Sequence, residues 1–259
     1  MGPEATPPER SRIMAPPKVR SVPLGQPLFW LSAGWRDLRT SPIASLAYGL
    51  LFAAVGDVIT IFAWYRGHLF IAATSGFLLI APLLAGGLYE ISRRREKGLS
   101  TTFFGSLAAG RRNMGELAKL GLLLAVIGLT WERVSTLLFA LLAPHIPADL
   151  LILLAEAPKY PEHRDLLFIW LISGGVLATL NFAITVVSVP LLLDRQIDFV
   201  TAMRTSLRAV DANLRVMIIW AAIVATLTVL SFVTLFFGLI VFMPLIGHAS
   251  WHAYRDLVE

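Results

Sequence analysis

The apolar positions of this chain fall into six long runs, and each pair of runs is introduced by a stretch where apolar and basic residues alternate with helical period. The runs cover residues 43–65, 69–91, 117–142, 166–193, 214–235 and 237–254, the last being the shortest. A helix rises about 1.5 Å per residue, so roughly 20 apolar residues cross about 30 Å of hydrocarbon. In lipid the backbone is satisfied only inside helices or closed barrels, and no alternating barrel pattern is present. The pattern predicts an all-α, polytopic transmembrane helix bundle with six spans over residues 27–259.

The introducing stretches begin at Phe29-Trp30, Phe103-Phe104 and Phe199-Val200. The second run of each pair carries a Pro-Leu near its end, at Pro82, Pro190 and Pro244, where proline can kink a helix. Three repeated hairpins are therefore expected, each preceded by an amphipathic helix flat on the inner leaflet. In the third such stretch Phe199, Met203, Ser206 or Leu207 and Val210 share one face, with Arg204, Arg208 and Asp211 opposite. In the first, Leu28, Leu31, Trp35 and Leu38 oppose Arg36, Asp37 and Arg39. Trp30, Trp35, Trp251 and Tyr254 read as interfacial residues at the headgroup boundary. Ser41-Pro42 ends the first amphipathic helix and opens the first span, since proline is tolerated in a first helical turn.

Composition agrees with a bilayer as solvent. The chain is 56% hydrophobic and 15% charged, with mean hydropathy +0.71, against about 25% charged in soluble domains. Its net charge of +5 would suit nucleic acid, but the distribution of that charge argues for topology instead. Of the 22 Lys and Arg, all except Arg66, Arg133, Lys159 and Arg164 fall in the N-terminal region, the loops after the second and fourth runs with the first residues of the runs that follow them (Lys119, Arg215), and the C-terminal tail. By the positive-inside rule both termini are cytoplasmic, in a multi-pass protein of a bacterial inner membrane. Partners are then the bilayer, anionic lipids of the inner leaflet and a membrane protein, with no nucleic acid.

Residues 1–26 are polar and proline-rich, which predicts a disordered cytoplasmic tail without the apolar core of a cleavable signal. The long connection at 143–165, with four prolines and a short apolar helix at 149–155, is the expected place for an extracytoplasmic contact. There is no cysteine, which excludes disulfides and thiolate metal sites.

Two groups of polar residues stand out. Asp57, Glu132 and Arg133 lie at similar depth in the first and third spans, and Asn181 lies in the fourth. Intramembrane charges point to a proton or ion path, or to a structural pair between Asp57 and Arg133. The second group is at the end of the last run, where His248 and His252 stack four residues apart, with Asp256 beyond and Glu90 at the matching end of the second run. This is a spacing used by helical metal sites; the alternative is an ordinary interfacial helix end. His248 and His252 share one face of one helix, so they cannot serve as opposite axial ligands of one haem. Walker, dinucleotide, nucleophile-elbow and His-Glu-x-x-His motifs are lacking. Small residues at Gly86-Gly87, Gly121, Gly128 and Gly174-Gly175 are expected at close helix contacts.

Pro27-Leu-Phe-Trp-Leu-Ser-Ala-Gly-Trp-Arg-Asp-Leu, the run Ser45-Leu-Ala-Tyr-Gly, Pro190-Leu-Leu-Leu-Asp-Arg, Thr205-Ser-Leu-Arg-Ala and Gly247-His-Ala-Ser-Trp-His-Ala-Tyr-Arg-Asp-Leu carry a resemblance. From about Val19 onward the chain resembles a bacterial family of predicted integral membrane proteins, the domain of unknown function 2189 family. Its members are sometimes labelled cytochrome c oxidase subunit I. A haem-copper core needs more histidines over about twice as many spans, including an adjacent His pair, and this chain has five His and no His-His. The expectation is a non-enzymatic scaffold, assembly or regulatory protein without a cofactor. The alternatives are a small-solute, ion or lipid transporter using Asp57, Glu132 and Arg133, and a haem or metal protein using His248 and His252.

Overall fold

The computed structural model describes residues 17–63, 73–74, 76–77, 81–107, 113–142, 155 and 158–259. Its helices are α1 Gln26–Thr40, α2 Pro42–Ala63, α3 Gly86–Glu96, α4 Phe103–Ser106, α5 Met114–Leu142, α6 Pro161–Asp194, α7 Phe199–Ala212, α8 Leu214–Val233 and α9 Leu239–Leu257. The helices α2, α5, α6 and α8 are each long and apolar enough to cross a membrane. The second expected run is described only at 73–74, 76–77 and 81–91. The short helix expected at 149–155 and the turn at Arg66 to His68 lie outside the described residues.

α9 is the hub of the bundle, packing on α1, α2, α3, α6 and α8. Its sequence explains both its position and its modest hydropathy, because Ser, His, Trp, Tyr and Arg in its second half need protein partners that lipid cannot supply. Close crossing is allowed by glycine on the neighbouring helices. A Cβ on Gly34 of α1 would sit 2.7 Å from the Ala249 backbone nitrogen, and one on Gly49 of α2 would overlap the backbone at Ile240. By contrast, among the described helices α5 has its stronger contacts on α6 and α7, with the Trp131 and Trp170 rings tilted against each other at 5.4 Å and the Trp170 indole donating to Ser135 at 2.7 Å.

α6 runs 34 residues with Pro190 inside it. Its ladder is opened one turn earlier by α7, where the Ser206 hydroxyl donates to Ala183 O at 2.7 Å and accepts from Val187 N at 3.2 Å. A side chain inserted between a carbonyl and the amide four residues on is a recognised cause of helix bending. α6 ends on Asn113, whose amide nitrogen donates to the carbonyls of Leu192, Arg195 and Ile197. It begins at Pro161, so the expected outer connection stops at residue 160, proline being suited to a helix's first position. Between α8 and α9 the chain turns through Leu235 and Phe236, both at positive φ. Pro244 sits within α9.

The faces of α7 follow the sequence pattern, with Arg204, Arg208 and Asp211 exposed. Those of α1 do not. Trp30, Ala33, Gly34, Asp37 and Leu38 face the protein, while Leu28 and Trp35 are exposed. The pattern grouped Asp37 with Arg36 and Arg39, but the helix is rotated so that its small residues meet α9 and carry Asp37 inward. Residues 19–22, which fall within the tail expected to be disordered up to residue 26, are tied to the helices. Val19 forms a β-bridge with Val258, Arg20 N donates to Leu257 O at 2.9 Å, and Asn213 holds Val22 N and Arg20 O at 2.9 Å each.

Candidate functional site

The charged ends of α1, α3, α6 and α9 converge into one layer of polar side chains, mostly buried. It is built around Asp37, which is 3% exposed, and His248, which is 0% exposed. Ser92 donates to Asp37 Oδ2 at 2.5 Å. With its hydrogen committed there, its oxygen accepts from His248 Nδ1 at 2.8 Å, which makes Nδ1 the protonated ring nitrogen. His248 Nε2 is then an acceptor, and it takes the Ser45 hydroxyl of α2 at 2.9 Å. His252 Nε2 lies 3.0 Å from the same Asp37 oxygen, and Arg95 pairs with the other oxygen. One carboxylate therefore sets the direction of a chain of hydrogen bonds through four helices.

Asp37 lies outside the spans, and its acidity reflects this setting. Burial pushes its carboxyl up, but the hydrogen bonds from His252 and Ser92 and the charge of His252 outweigh burial and hold it below the ordinary aspartate value. A carboxylate buried this deeply persists only when it is paired and hydrogen-bonded.

A second set of ion pairs adjoins the first. Glu90 lies 3.2 Å from Arg93 and 2.9 Å from Arg94, and Asp194 lies 3.7 Å from Arg93 and 3.8 Å from Arg255. Tyr254 donates to Asp194 at 2.8 Å, and the Trp251 indole donates to Glu96 at 2.9 Å. On the α1 side Trp30 and Gln26 both donate to Asp256, at 2.7 and 2.6 Å. Trp30, Trp251 and Tyr254, expected at the headgroup boundary, are fully buried with their polar atoms spent on these carboxylates. Trp35 alone of the four is exposed. Aromatic residues with one polar atom suit a half-polar protein interior as well as an interface.

The candidate metal ligands are brought near one another but not onto a common point. His248 is held by two serines, His252 by Asp37, Asp256 by Trp30 and Gln26, and Glu90 by two arginines. Among the described residues no three His, Asp or Glu side chains are grouped as a metal site requires.

The intramembrane charges are not brought together. Arg133 Nε lies 3.2 Å from neighbouring Glu132, and its side chain is 80% exposed. Asp57 is half-buried on α2, which packs on α1, α3, α4 and α9, while α5 packs on α6 and α7, so the expected Asp57–Arg133 pair does not form within the chain. Asn181 is buried, with its Oδ1 lacking a hydrogen-bond donor among the described residues. A cavity of about 140 Å³ lies between Phe52, Phe77, Pro82, Phe182, Trp220 and Met243, and none of the four polar residues lines it.

Part of this layer was legible in the sequence. Glu90, Arg93 and Arg94 sit at the three- and four-residue spacings of helical ion pairs. Ser45, Ser92 and Asp194 have no local signature, since serine within an apolar helix reads as a packing residue. Asp37 carried one signal, the small residues Ala33 and Gly34 a turn before it, which mark a helix face meant for close contact.

Comparison with known families follows from the same helices. Residues 69–194 match the family of predicted integral membrane proteins, DUF2189. The resemblance noted in the sequence is to this family, whose domain has no assigned function; the match spans just under half of the chain, which is an integral membrane protein. The matched segment contributes Glu90, Ser92, Arg93 and Asp194 to the layer, while Asp37 and His248 lie to either side of it. No curated protein and no solved structure matches the chain.

Proposed function

We propose that this protein is a non-enzymatic component of the bacterial inner membrane, a scaffold, assembly or regulatory protein whose basic end is its working face. In this reading the bundle has six spans in three hairpins, both termini are cytoplasmic, and α1 and α7 rest at the inner leaflet. The observation that carries it is the use made of the reactive side chains. His248, His252, Asp37 and Asp256 are each held by hydrogen bonds or ion pairs to other helices, and Glu90 by Arg93 and Arg94 of its own helix, as in a fixed platform, and none faces the cavity. Exposed Arg36, Arg39, Arg204 and Arg208 on α1 and α7 supply contacts for anionic lipid headgroups. A membrane protein partner is expected at the same face, and nucleic acid is not.

The transporter reading rests on Asp57, Glu132 and Arg133, and the apolar lining of the cavity does not favour an ionic path among them. The metal reading would require His248 to give up Ser45 or Ser92. Two measurements test the proposal. Mild-detergent purification from native membranes should retain a stoichiometric membrane protein partner, and proteoliposomes should show no flux over a broad solute panel. Flux that disappears in Asp57→Asn would overturn the scaffold reading in favour of transport.

A further inference from the structure

The outer halves of α2 and α5 pose a separate problem from the polar layer. Asp57 lies 14 residues after Ile43, where the first apolar run starts, and Arg133 lies 16 after Leu117, where the third starts. At about 1.5 Å per residue the two charges stand roughly 21 and 24 Å from the starts of those runs. Asp57 has no hydrogen bond or ion pair among the described residues. Arg133 has only the carboxylate next to it in sequence, leaving four-fifths of its side chain uncovered. Each charge belongs to an otherwise apolar, exposed stripe. On α2 the stripe is Leu50, Ala54, Val58 and Ile61 beside Asp57, and on α5 it is Val126, Leu129, Leu137 and Leu141 around Arg133.

An isolated carboxylate at this depth is costly and calls for a partner, and arginine is the side chain that best pairs with it in a dry setting. Within one chain the two stripes belong to helices with different neighbours. We infer that a second copy of this chain supplies the partner: α2 of one copy packs along α5 of another, running in the same direction, with Asp57 against Arg133. The two stripes are similar in depth and in apolar character, and they carry opposite charges. Because the two surfaces differ, the contact is head-to-tail and needs rotational closure to give a finite assembly. This goes beyond the scaffold reading and does not depend on it, since it concerns the outer halves of two spans and leaves the polar layer untouched.

The absence of cysteine from the chain makes the test direct. Two tagged versions of the full chain are co-expressed, one with Ile61→Cys and the other with Leu137→Cys, positions one helical turn beyond the charges on the two exposed stripes. Both variants keep both charges. Oxidation in membranes should give a mixed disulfide-linked dimer at least ten-fold above that from Ile61→Cys with Leu122→Cys, which is misplaced by about four turns. Adding Asp57→Arg to the first partner should remove the cross-link, and adding Arg133→Asp to the second should restore it. Equal cross-linking by matched and mismatched pairs overturns the inference. So does a monomer as the sole species in nanodiscs, the result expected if Arg133 reaches lipid phosphate instead. A lost partner protein or an observed solute flux would bear on the proposed function alone.

Discussion

The Ser92 hydroxyl donates to Asp37 across 2.5 Å between α3 and α1, and this bond orients the hydrogen bonds on either side of it. Because Asp37 only accepts when ionised, Ser92 must accept from His248, and His248 must accept from Ser45. The layer is thus a directed structure in which replacing one member disturbs the next.

Ser92→Ala is expected to destabilise the folded protein by about 1–3 kcal/mol, the usual cost of leaving a buried donor or acceptor unmet. Here His248 Nδ1–H would lose its acceptor and Asp37 a donor. Thermal unfolding in detergent should show a lowered midpoint, and an unchanged midpoint would mean that water replaces the hydroxyl.

Asp37→Asn should cost more, on the order of 3–5 kcal/mol, because it removes one half of a buried ionic contact and leaves Arg95 and His252 facing a neutral amide. It also separates a pH effect. A carboxyl held below its ordinary value adds stability that is complete above that ordinary value and is lost as pH falls toward the folded-state value. Unfolding followed from neutral pH into the acid range should therefore show a steeper loss for the wild-type chain than for Asp37→Asn; parallel curves would contradict the assignment.

Gly34→Leu should separate α1 from α9. Its Cβ would meet the Ala249 backbone nitrogen at 2.7 Å and the Leu245 carbonyl at 2.9 Å, and backbone cannot swing aside as a side chain can. Forced overpacking typically costs about 1–3 kcal/mol. The expected readout is faster proteolysis within α1, with Gly25→Leu, which meets nothing within 4 Å, as the silent control.

Asn213→Ala should free the segment that crosses the end of α9. Asn213 accepts from Val22 N and donates to Arg20 O, so its loss removes two of the bonds that hold residues 18–22 in place. Trypsin should cut after Lys18 and Arg20 faster than in the wild-type chain, while cleavage within α7 stays unchanged.

Particular elements show where sequence reading succeeds and where it stops. The amphipathic pattern of α7 names its exposed arginines correctly because one side meets water and the other meets protein, and hydropathy distinguishes those two. In α1 the same method turns the helix the wrong way, since both Leu28 on the outside and Trp30 on the inside are apolar. Lipid and protein core have similar polarity, so an apolar residue does not reveal which of them it faces. The same limit hid the roles of Trp251 and Tyr254, whose partners Glu96 and Asp194 come from α3 and α6.

The sequence by itself determined that this is a helical membrane protein, through apolar runs long enough to cross a bilayer and a backbone that lipid forces to satisfy itself. It also determined which residues are dangerous to leave alone in that solvent: Asp57, Arg133, His248 and the charged ends of the helices. Only the tertiary structure decided how each is accommodated. It placed α9 at the centre, rotated Asp37 inward to meet Ser92, closed both nitrogens of His248 on serines, and left Asp57 and Arg133 on separate faces. The reason is that periodicity along one helix fixes which residues share a side, whereas the partner across that side is chosen by packing among helices far apart in the chain.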